Sequence, residues 1–187
     1  MNLLLVAATP FEVAPVKDYL DHQFVEYAPA QYQKGSLSVG LLITGVGLPL
    51  TAYALGRLFA GKRYDLAINA GVAGAFRREL ELGQVVQVVS ERFGDLGVEE
   101  ADGRFTNVHQ LGLIDPDQPP FRDGVLYNDD SASFEFLPSA HGISVNKVHG
   151  YPPSIERLQQ QYPVDVESME GAAFFYACLQ EQIPFLE

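Results

Sequence analysis

Glu167 and Glu170 flank a single turn, and their placement invites chemistry more than any other pair in the chain. The stretch Val164-Asp165-Val166-Glu167-Ser168-Met169-Glu170-Gly171-Ala172-Ala173-Phe174-Phe175-Tyr176-Ala177-Cys178-Leu179 reads as the end of a short apolar strand running into a helix at Ser168. Ser168 suits the N-cap, where its hydroxyl satisfies one of the free amides of the first turn. The helix is apolar on nearly every side, which predicts burial rather than an amphipathic surface helix. Glu170 falls in its first turn, where the positive end of the helix dipole favours a carboxylate. A charge at the mouth of a buried helix is costly unless a polar group meets it. Two adjacent hydroxyls of a sugar would meet it well, since one carboxylate can accept both hydrogen bonds. A carboxylate that merely caps its own helix is the plain alternative.

A third carboxylate and two glycine pairs occupy comparable places. Residues 2–8 form a continuous apolar run, as expected of a strand buried on both faces, and Thr9-Pro10 ends it. With Thr9 as cap and Pro10 at the first helical position, a helix is expected whose first turn holds Glu12. Residues 32–43 predict a hairpin around Lys34-Gly35-Ser36, entering an apolar strand over 38–44. Gly45-Val46-Gly47 follows that strand and precedes a helix over 49–60. Gly-x-Gly after a strand suggests close backbone approach to a ligand, such as an anion at a helix terminus. Position 50 is leucine, so the dinucleotide fingerprint is absent, and tight strand–helix packing explains the glycines equally well. Residues 65–70 predict a third buried strand, leading into Gly71-Val72-Ala73-Gly74-Ala75, whose small side chains leave backbone groups open to a planar ligand.

The elements that must position these residues alternate strand and helix. Strands are expected over 84–89 and 142–149, a polar surface helix over 155–162, and the opening of a further strand at 183–187. Residues 94–140 are rich in Gly, Asp and Pro and read as a long, partly irregular excursion of the kind that covers a site or an interface. Such alternation describes an open α/β sheet, in which ligands sit beyond the carboxyl ends of the strands. Glu12, the glycines of 45–47 and 71–74, and Met169-Glu170 all follow predicted strands. No repeat or low-complexity linker divides the chain, so residues 1–187 are read as one domain.

Composition narrows the function classes. The chain has 187 residues, 47% apolar and 19% charged, which fits a compact globule rather than a disordered chain. Its formal net charge of −12 argues against binding nucleic acid or an anionic membrane. Leu3-Leu4-Leu5-Val6-Ala7-Ala8 is too short to span a bilayer and lacks the basic start of a signal peptide, so a cytoplasmic location is the expectation. Cys178 is the single cysteine and lies within the buried helix, where packing is its expected role. His22, His109, His141 and His149 show no metal-ligand spacing, so neither a metal nor a cofactor is expected. Asp129-Asp130 and Glu99-Glu100 read as solvated loop charges, and Phe174, Phe175 and Tyr176 as core or subunit-interface packing.

Three segments together resemble the nucleoside phosphorylase/nucleosidase superfamily: Ala7-Ala8-Thr9-Pro10-Phe11-Glu12, Asn69-Ala70-Gly71-Val72-Ala73-Gly74 and Glu167-Ser168-Met169-Glu170-Gly171-Ala172-Ala173. Within it the chain is similar to the nucleosidases of methylthioadenosine and S-adenosylhomocysteine and to the futalosine hydrolases of menaquinone biosynthesis. Ser-Met-Glu-Gly-Ala-Ala, Gly142-Ile143-Ser144-Val145-Asn146 and Glu91-Arg92-Phe93-Gly94-Asp95-Leu96-Gly97 resemble the futalosine branch more. The resemblance implies a three-layer α/β sandwich around a central mixed, mostly parallel twisted sheet. It implies hydrolysis of a purine nucleoside, most closely futalosine to dehypoxanthine futalosine and hypoxanthine. Hydrolysis of methylthioadenosine or S-adenosylhomocysteine, or a nucleoside-binding domain without turnover, are the alternatives. Carried over by position, Glu12 would be the general base on the attacking water, Glu170 would bind the ribose 2′- and 3′-hydroxyls, and Met169 would pack on the sugar. Val72, Ala73 and Gly74 would line the base pocket, with Val148 and His149 along the purine. A homodimer or larger homo-oligomer is implied as well.

That chemistry suits the residue types. Cleavage of an N-glycosidic bond passes through an oxocarbenium-like sugar that nearby carboxylates stabilise, and a carboxylate can take the proton of the attacking water. Phosphate as co-substrate calls for arginines, and none occurs before Arg57; Arg77 and Arg78 are read as surface charges. In the relatives a polar residue in an Arg-x-Ile-Ser-Asp or Arg-x-Ile-Ser-Asn segment activates the leaving purine. Glu187 precedes any such segment, so a chain truncated before its leaving-group element, marginally folded or reliant on a partner subunit, and with little hydrolytic activity is expected.

Overall fold

The computed structural model describes residues 1–129 and 136–187; Asp130 and the part of the 94–140 excursion over 130–135 lie outside the described residues. In chain order the elements are β1 (Asn2–Ala7), α1 (Ala14–Gln23), β2 (Val25–Ala28), β3 (Gln31–Lys34), β4 (Leu37–Ile43), α2 (Leu48–Phe59), β5 (Leu66–Asn69) and β6 (Gly74–Ala75). They continue with β7 (Gln87–Glu91), β8 (Gly97–Glu99), β9 (Phe105–Asn107), β10 (Leu126–Tyr127), β11 (Ser139–Ser144), α3 (Pro152–Gln161), β12 (Val166–Ser168), α4 (Gly171–Glu181) and β13 (Phe185–Leu186). The result is a mixed α/β fold with the expected mostly parallel central sheet, built in two connected parts.

One part is a six-stranded sheet in the order β13-β5-β1-β4-β3-β2. β1 pairs in parallel with β4 from Asn2↔Ser38 to Ala7↔Ile43, and with β5 from Leu3↔Leu66 to Val6↔Asn69. The apolar run of β1 is buried on both faces, as its lack of alternation implies. Leu4 and Val6 join the main core with Leu55, Phe59, Phe174 and Phe175 from α2 and α4, while Leu5 and Ala7 pack with Val13 on the other side. Each such side chain removed from water contributes about 1.5–3 kcal/mol. The hairpin predicted around Gly35 is present, with Gly35 at φ +59; it sets β3 antiparallel to β4, and β2 pairs antiparallel with β3 at the edge.

The other part has the order β10-β7-β11-β12-β6, with β7, β11 and β12 parallel and the two outer strands antiparallel. The excursion that follows β7 contains the hairpin β8–β9 and then β10. β13 joins the two parts. It pairs with β5 through Phe185↔Ala67 and Leu186↔Ile68, while the Val88 N–H of β7 donates to Glu187 O at 2.8 Å. The strand expected at 183–187 therefore stands at the seam between the sheets.

Several boundaries differ from the sequence expectation: β7 spans Gln87–Glu91 rather than 84–89, α3 spans Pro152–Gln161 rather than 155–162, and α4 begins at Gly171 rather than at Ser168. Two further shifts have a local cause. The first helix begins at Ala14 rather than beside Thr9, because Thr9 spends its hydroxyl on a side chain (below), and Pro15 opens the helix instead. β11 ends at Ser144 rather than His149. The Asp95 carboxylate takes both the Asn146 N–H at 2.6 Å and the Asn146 Nδ2–H at 3.0 Å, which turns the chain out of the ladder. That release carries Val148 and His149 out of the strand. Among the described residues, no helix is long and apolar enough to cross a membrane.

Candidate active site

Glu12 is fixed by the turn that replaces the expected helix start. The Thr9 N–H donates to Glu12 Oε2 at 2.6 Å and the Thr9 hydroxyl donates to the same oxygen at 2.9 Å. The other oxygen, Oε1, lies against Gly71: a Cβ built there would stand 3.1 Å from it. The end of β1 and the loop after β5 therefore meet at one carboxylate, and the close approach needs glycine at position 71.

Glu170 is held from a third direction. Its Oε1 accepts the Gly47 N–H at 2.7 Å. Gly47 precedes α2 at φ +103, a backbone conformation that side chains disfavour. The Gly-x-Gly motif does present an amide to an anion at a helix terminus, and the anion is the protein's own carboxylate. Glu170 does not cap its own helix through its side chain. The first amides of α4 are met by serines instead: Gly171 N–H donates to Ser168 Oγ at 3.1 Å and Ala172 N–H to Ser144 Oγ at 2.7 Å. Ser168 thus serves a first-turn amide as expected, although it belongs to β12. Loss of solvent pushes the Glu170 carboxyl above the usual glutamate range; the Gly47 N–H pulls it down and the charge of Glu12 pushes it up again. The turns that hold the two acids adjoin: the Gly45 N–H, two residues before Gly47, donates to Ala8 O at 3.1 Å, next to Thr9.

A second cluster forms where β6 meets β12. Gly74 pairs across the ladder with Glu167, and a Cβ at Gly74 would touch Glu167 Cγ at 3.4 Å. Glu167 is only 3% exposed, and its oxygens meet the His149 N–H at 2.8 Å and His149 Nδ1 at 2.9 Å. Nδ1 donates to the Glu167 carboxylate, which leaves Nε2 as the ring atom free to meet a ligand. Val72 and Val148, 79% and 54% exposed, stand with Ala73 and Gly74 on open surface, and Met169 is half-buried between Ser168 and Glu170.

The structure therefore joins Glu12, Gly71, Gly47 and Glu170 in one cluster and Gly74, Glu167 and His149 in another. Val72, Ala73, Val148 and Met169 enter through their chain neighbours. Sequence reasoning named Glu167 without a task for it. Its signal was its position on a strand entering the core, where an acid has to find donors. The donors Thr9 and Gly47 were quoted for capping and packing, and neither spacing reveals that they hold the two acids.

The surroundings offer little to a phosphate. Arg57 is in the last turn of α2, Arg77 pairs with Asp165 at 3.4 Å, and the Arg92 guanidinium lies 5.1 Å from the Tyr162 ring centroid. Among the described residues, no group of three or more His, Cys, Asp or Glu side chains could hold a metal ion. An apolar cavity of about 490 Å³ opens elsewhere, on the α2–α4 face, lined among others by Leu48, Ala52, Phe59, Phe93 and Tyr176. Tyr176 faces it, while Phe174 and Phe175 are fully buried core. Cys178 is buried too, and burial together with the charge of Glu187 pushes its thiol far above the usual range, so it packs rather than reacts.

The chain matches the phosphorylase superfamily over residues 2–187 and belongs to it. Among curated relatives, it is 27% identical to a 5′-methylthioadenosine/S-adenosylhomocysteine nucleosidase of Maridesulfovibrio salexigens, over 100% of this chain and 83% of that protein. It is 40% identical to a futalosine hydrolase of Streptomyces coelicolor, over 68% of this chain and 53% of that protein. Its fold is that of the Colwellia psychrerythraea methylthioadenosine/S-adenosylhomocysteine nucleosidase solved with adenine, with a TM-score of 0.76 and 22% identity over 100% of this chain and 79% of that one.

Proposed function

We propose that this protein is a purine nucleosidase that hydrolyses the N-glycosidic bond with Glu12 as general base and Glu170 as the ribose-binding carboxylate. The observation that carries the reading is the pair of held acids at one site: Glu12 fastened by Thr9, Glu170 fastened by Gly47. Each is oriented by a backbone amide, so neither has to reorganise when a nucleoside arrives. Glu170 supplies a charged acceptor for the two ribose hydroxyls. Glu12 takes the proton as water attacks C1′, and both charges stabilise the cationic sugar. Met169 packs on the sugar face, and Val72, Ala73, Gly74 and Val148 border the base. His149, fixed through Nδ1, offers Nε2 toward a purine edge. Water is the favoured nucleophile over phosphate because no arginine stands in the turns that hold the two acids.

For the nucleoside itself we infer futalosine, supported by the 40% identity over the shared segment with a futalosine hydrolase. Methylthioadenosine or S-adenosylhomocysteine is the second reading, favoured by relatives of that name that align with the whole of this chain. We further infer a homo-oligomer. Measuring free base released from futalosine, methylthioadenosine, S-adenosylhomocysteine and inosine by the full-length gene product separates these readings. Hypoxanthine from futalosine alone supports the first, adenine from the other two the second. Tight nucleoside binding without release of any base would leave a binding protein and refute the hydrolase.

A further inference from the structure

A second pair of glutamates lies behind the site and takes no part in the chemistry above. Glu91, at the end of β7, is 1% exposed. Its Oε2 accepts the Ser144 hydroxyl at 3.0 Å and the Arg92 N–H at 3.2 Å, whereas its Oε1 has no hydrogen-bond partner. Glu187 follows β13; its Oε1 accepts Asn69 Nδ2–H at 2.9 Å, and its Oε2 is buried without a partner. The two carboxyls converge on one point. A Cβ built on Gly171 would run into Glu91 Oε1 and stand 2.8 Å from each oxygen of Glu187. Gly142 leaves space for Glu91 Oε1 from the other side, since a Cβ there would also meet it. Each carboxyl thus gives one oxygen to donors and leaves the other without a partner, and both carboxyls border the same small space beside Gly171. Two facing carboxylates out of water cannot both be ionised, and one proton between the bare oxygens satisfies both.

We propose that Glu91 and Glu187 share one proton, and that this proton keeps the mouth of α4 in place and leaves Glu170 free to be ionised when a nucleoside binds. The connection to Glu170 runs by two routes. The first is a relay of hydroxyls: Ala172 N–H donates to Ser144 Oγ, whose own proton goes to Glu91 Oε2, and Ser168 Oγ, 3.2 Å from Ser144 Oγ, holds the Gly171 N–H. The residue after Glu170 and the one following it are therefore tied to Glu91. The second is electrostatic: the charge of Glu170 disfavours a charge on Glu187 and so helps to hold the proton there. The groups facing the pair are Ser144 and Arg92 around Glu91, and Asn69, Glu170 and the Cys178 thiol around Glu187.

Burial and the neighbouring carboxylate raise Glu91 well above the usual glutamate range; burial raises Glu187 from 4.5 to about 7. A raised carboxyl binds its proton more tightly in the folded chain than in the unfolded one. The stability this gives is complete below pH 4.5 and is lost as pH rises through about 7 and beyond. Losing the proton also puts a second charge behind Glu170, which weakens nucleoside binding on the alkaline side. The positioning role of the pair is tested on the full-length gene product by following melting temperature from pH 5 to 9 alongside affinity for C-nucleosides of hypoxanthine and of adenine, whose glycosidic carbon–carbon bonds do not hydrolyse. In E91Q the amide donates permanently to the Glu187 carboxylate and favours its charged form, so the alkaline fall of both should vanish.

The ligand half of the inference rests on the nucleosidase reading, and the two fail differently. A melting profile that shifts in E91Q, with no C-nucleoside bound at any pH, keeps the shared proton and removes the link to substrate. Binding with an unmoved pH profile, E91Q lowering melting temperature and affinity equally at every pH, overturns the proton pair. E187Q, which donates to Glu91, serves as second variant. If neither variant folds, infrared spectra of the wild-type protein carrying carbon-13 glutamate decide: a protonated carboxyl persisting at pH 7 supports the pair, and its absence overturns it.

Discussion

Two pairs of glutamates that influence one another's charge sit in this molecule, and they are built on opposite terms. Glu12 and Glu170 are half-buried, and each has a backbone amide on one oxygen. Glu91 and Glu187 each give one oxygen to a donor and leave the other without a partner, out of water and beside Gly171. The first arrangement suits two charges that must act on a substrate; the second suits a proton held between them. Donors and residual solvent decide which carboxylate stays charged, and proximity of like charges alone does not.

Breaking the open pair should cost most. E12Q keeps the shape of the side chain and its hold on Thr9 but cannot take a proton, so turnover should fall by roughly two to four orders of magnitude while nucleoside affinity stays near wild type. Steady-state base release beside calorimetric affinity reads both. E170A should show the reverse emphasis: two hydrogen bonds to a charged acceptor vanish, each about 1.5–3 kcal/mol, so affinity falls by about one to two orders of magnitude per bond. Acidification should imitate it in part. The Glu170 carboxyl is raised, so its charge, and with it the affinity, is lost as pH falls through that raised value, and the loss should be absent in E170Q.

Smaller effects sharpen the contrast at the base side. E167Q leaves His149 a weaker partner in a buried place, and a cost of about 1–3 kcal/mol in stability is expected, read by denaturant unfolding. G71A places a methyl 3.1 Å from Glu12 Oε1, which displaces that oxygen by a few tenths of an ångström. Turnover should drop by less than about tenfold, with melting temperature little changed.

Much of this arrangement was legible along the chain, for reasons that differ by residue. β1, β4 and β5 are apolar runs buried on both faces, and runs of that kind announce themselves. Glycines at 45 and 47 marked a strand end correctly, because both have a positive φ, and Gly71 marked another, where a Cβ would crowd Glu12. What the sequence hides is the identity of the partner across space. Nothing in Gly45-Val46-Gly47 names Glu170, 123 positions away, and nothing in Glu91 names Glu187. The end of β11 was misjudged because Asp95 takes the Asn146 donors, a tertiary event with no local signature. The 94–140 excursion carries a hairpin and β10 with little periodicity, since short strands in an irregular stretch leave no pattern to read.

The central claim is that Glu12 directs water, and not phosphate, to C1′ of a purine nucleoside. The direct measurement is turnover of the cleaved nucleoside by the full-length gene product in oxygen-18 water containing inorganic phosphate, with the sugar product read by mass spectrometry. The expected products are a free reducing sugar carrying one oxygen-18 at C1 and purine without label, with no sugar 1-phosphate. A sugar 1-phosphate as the main product would contradict it.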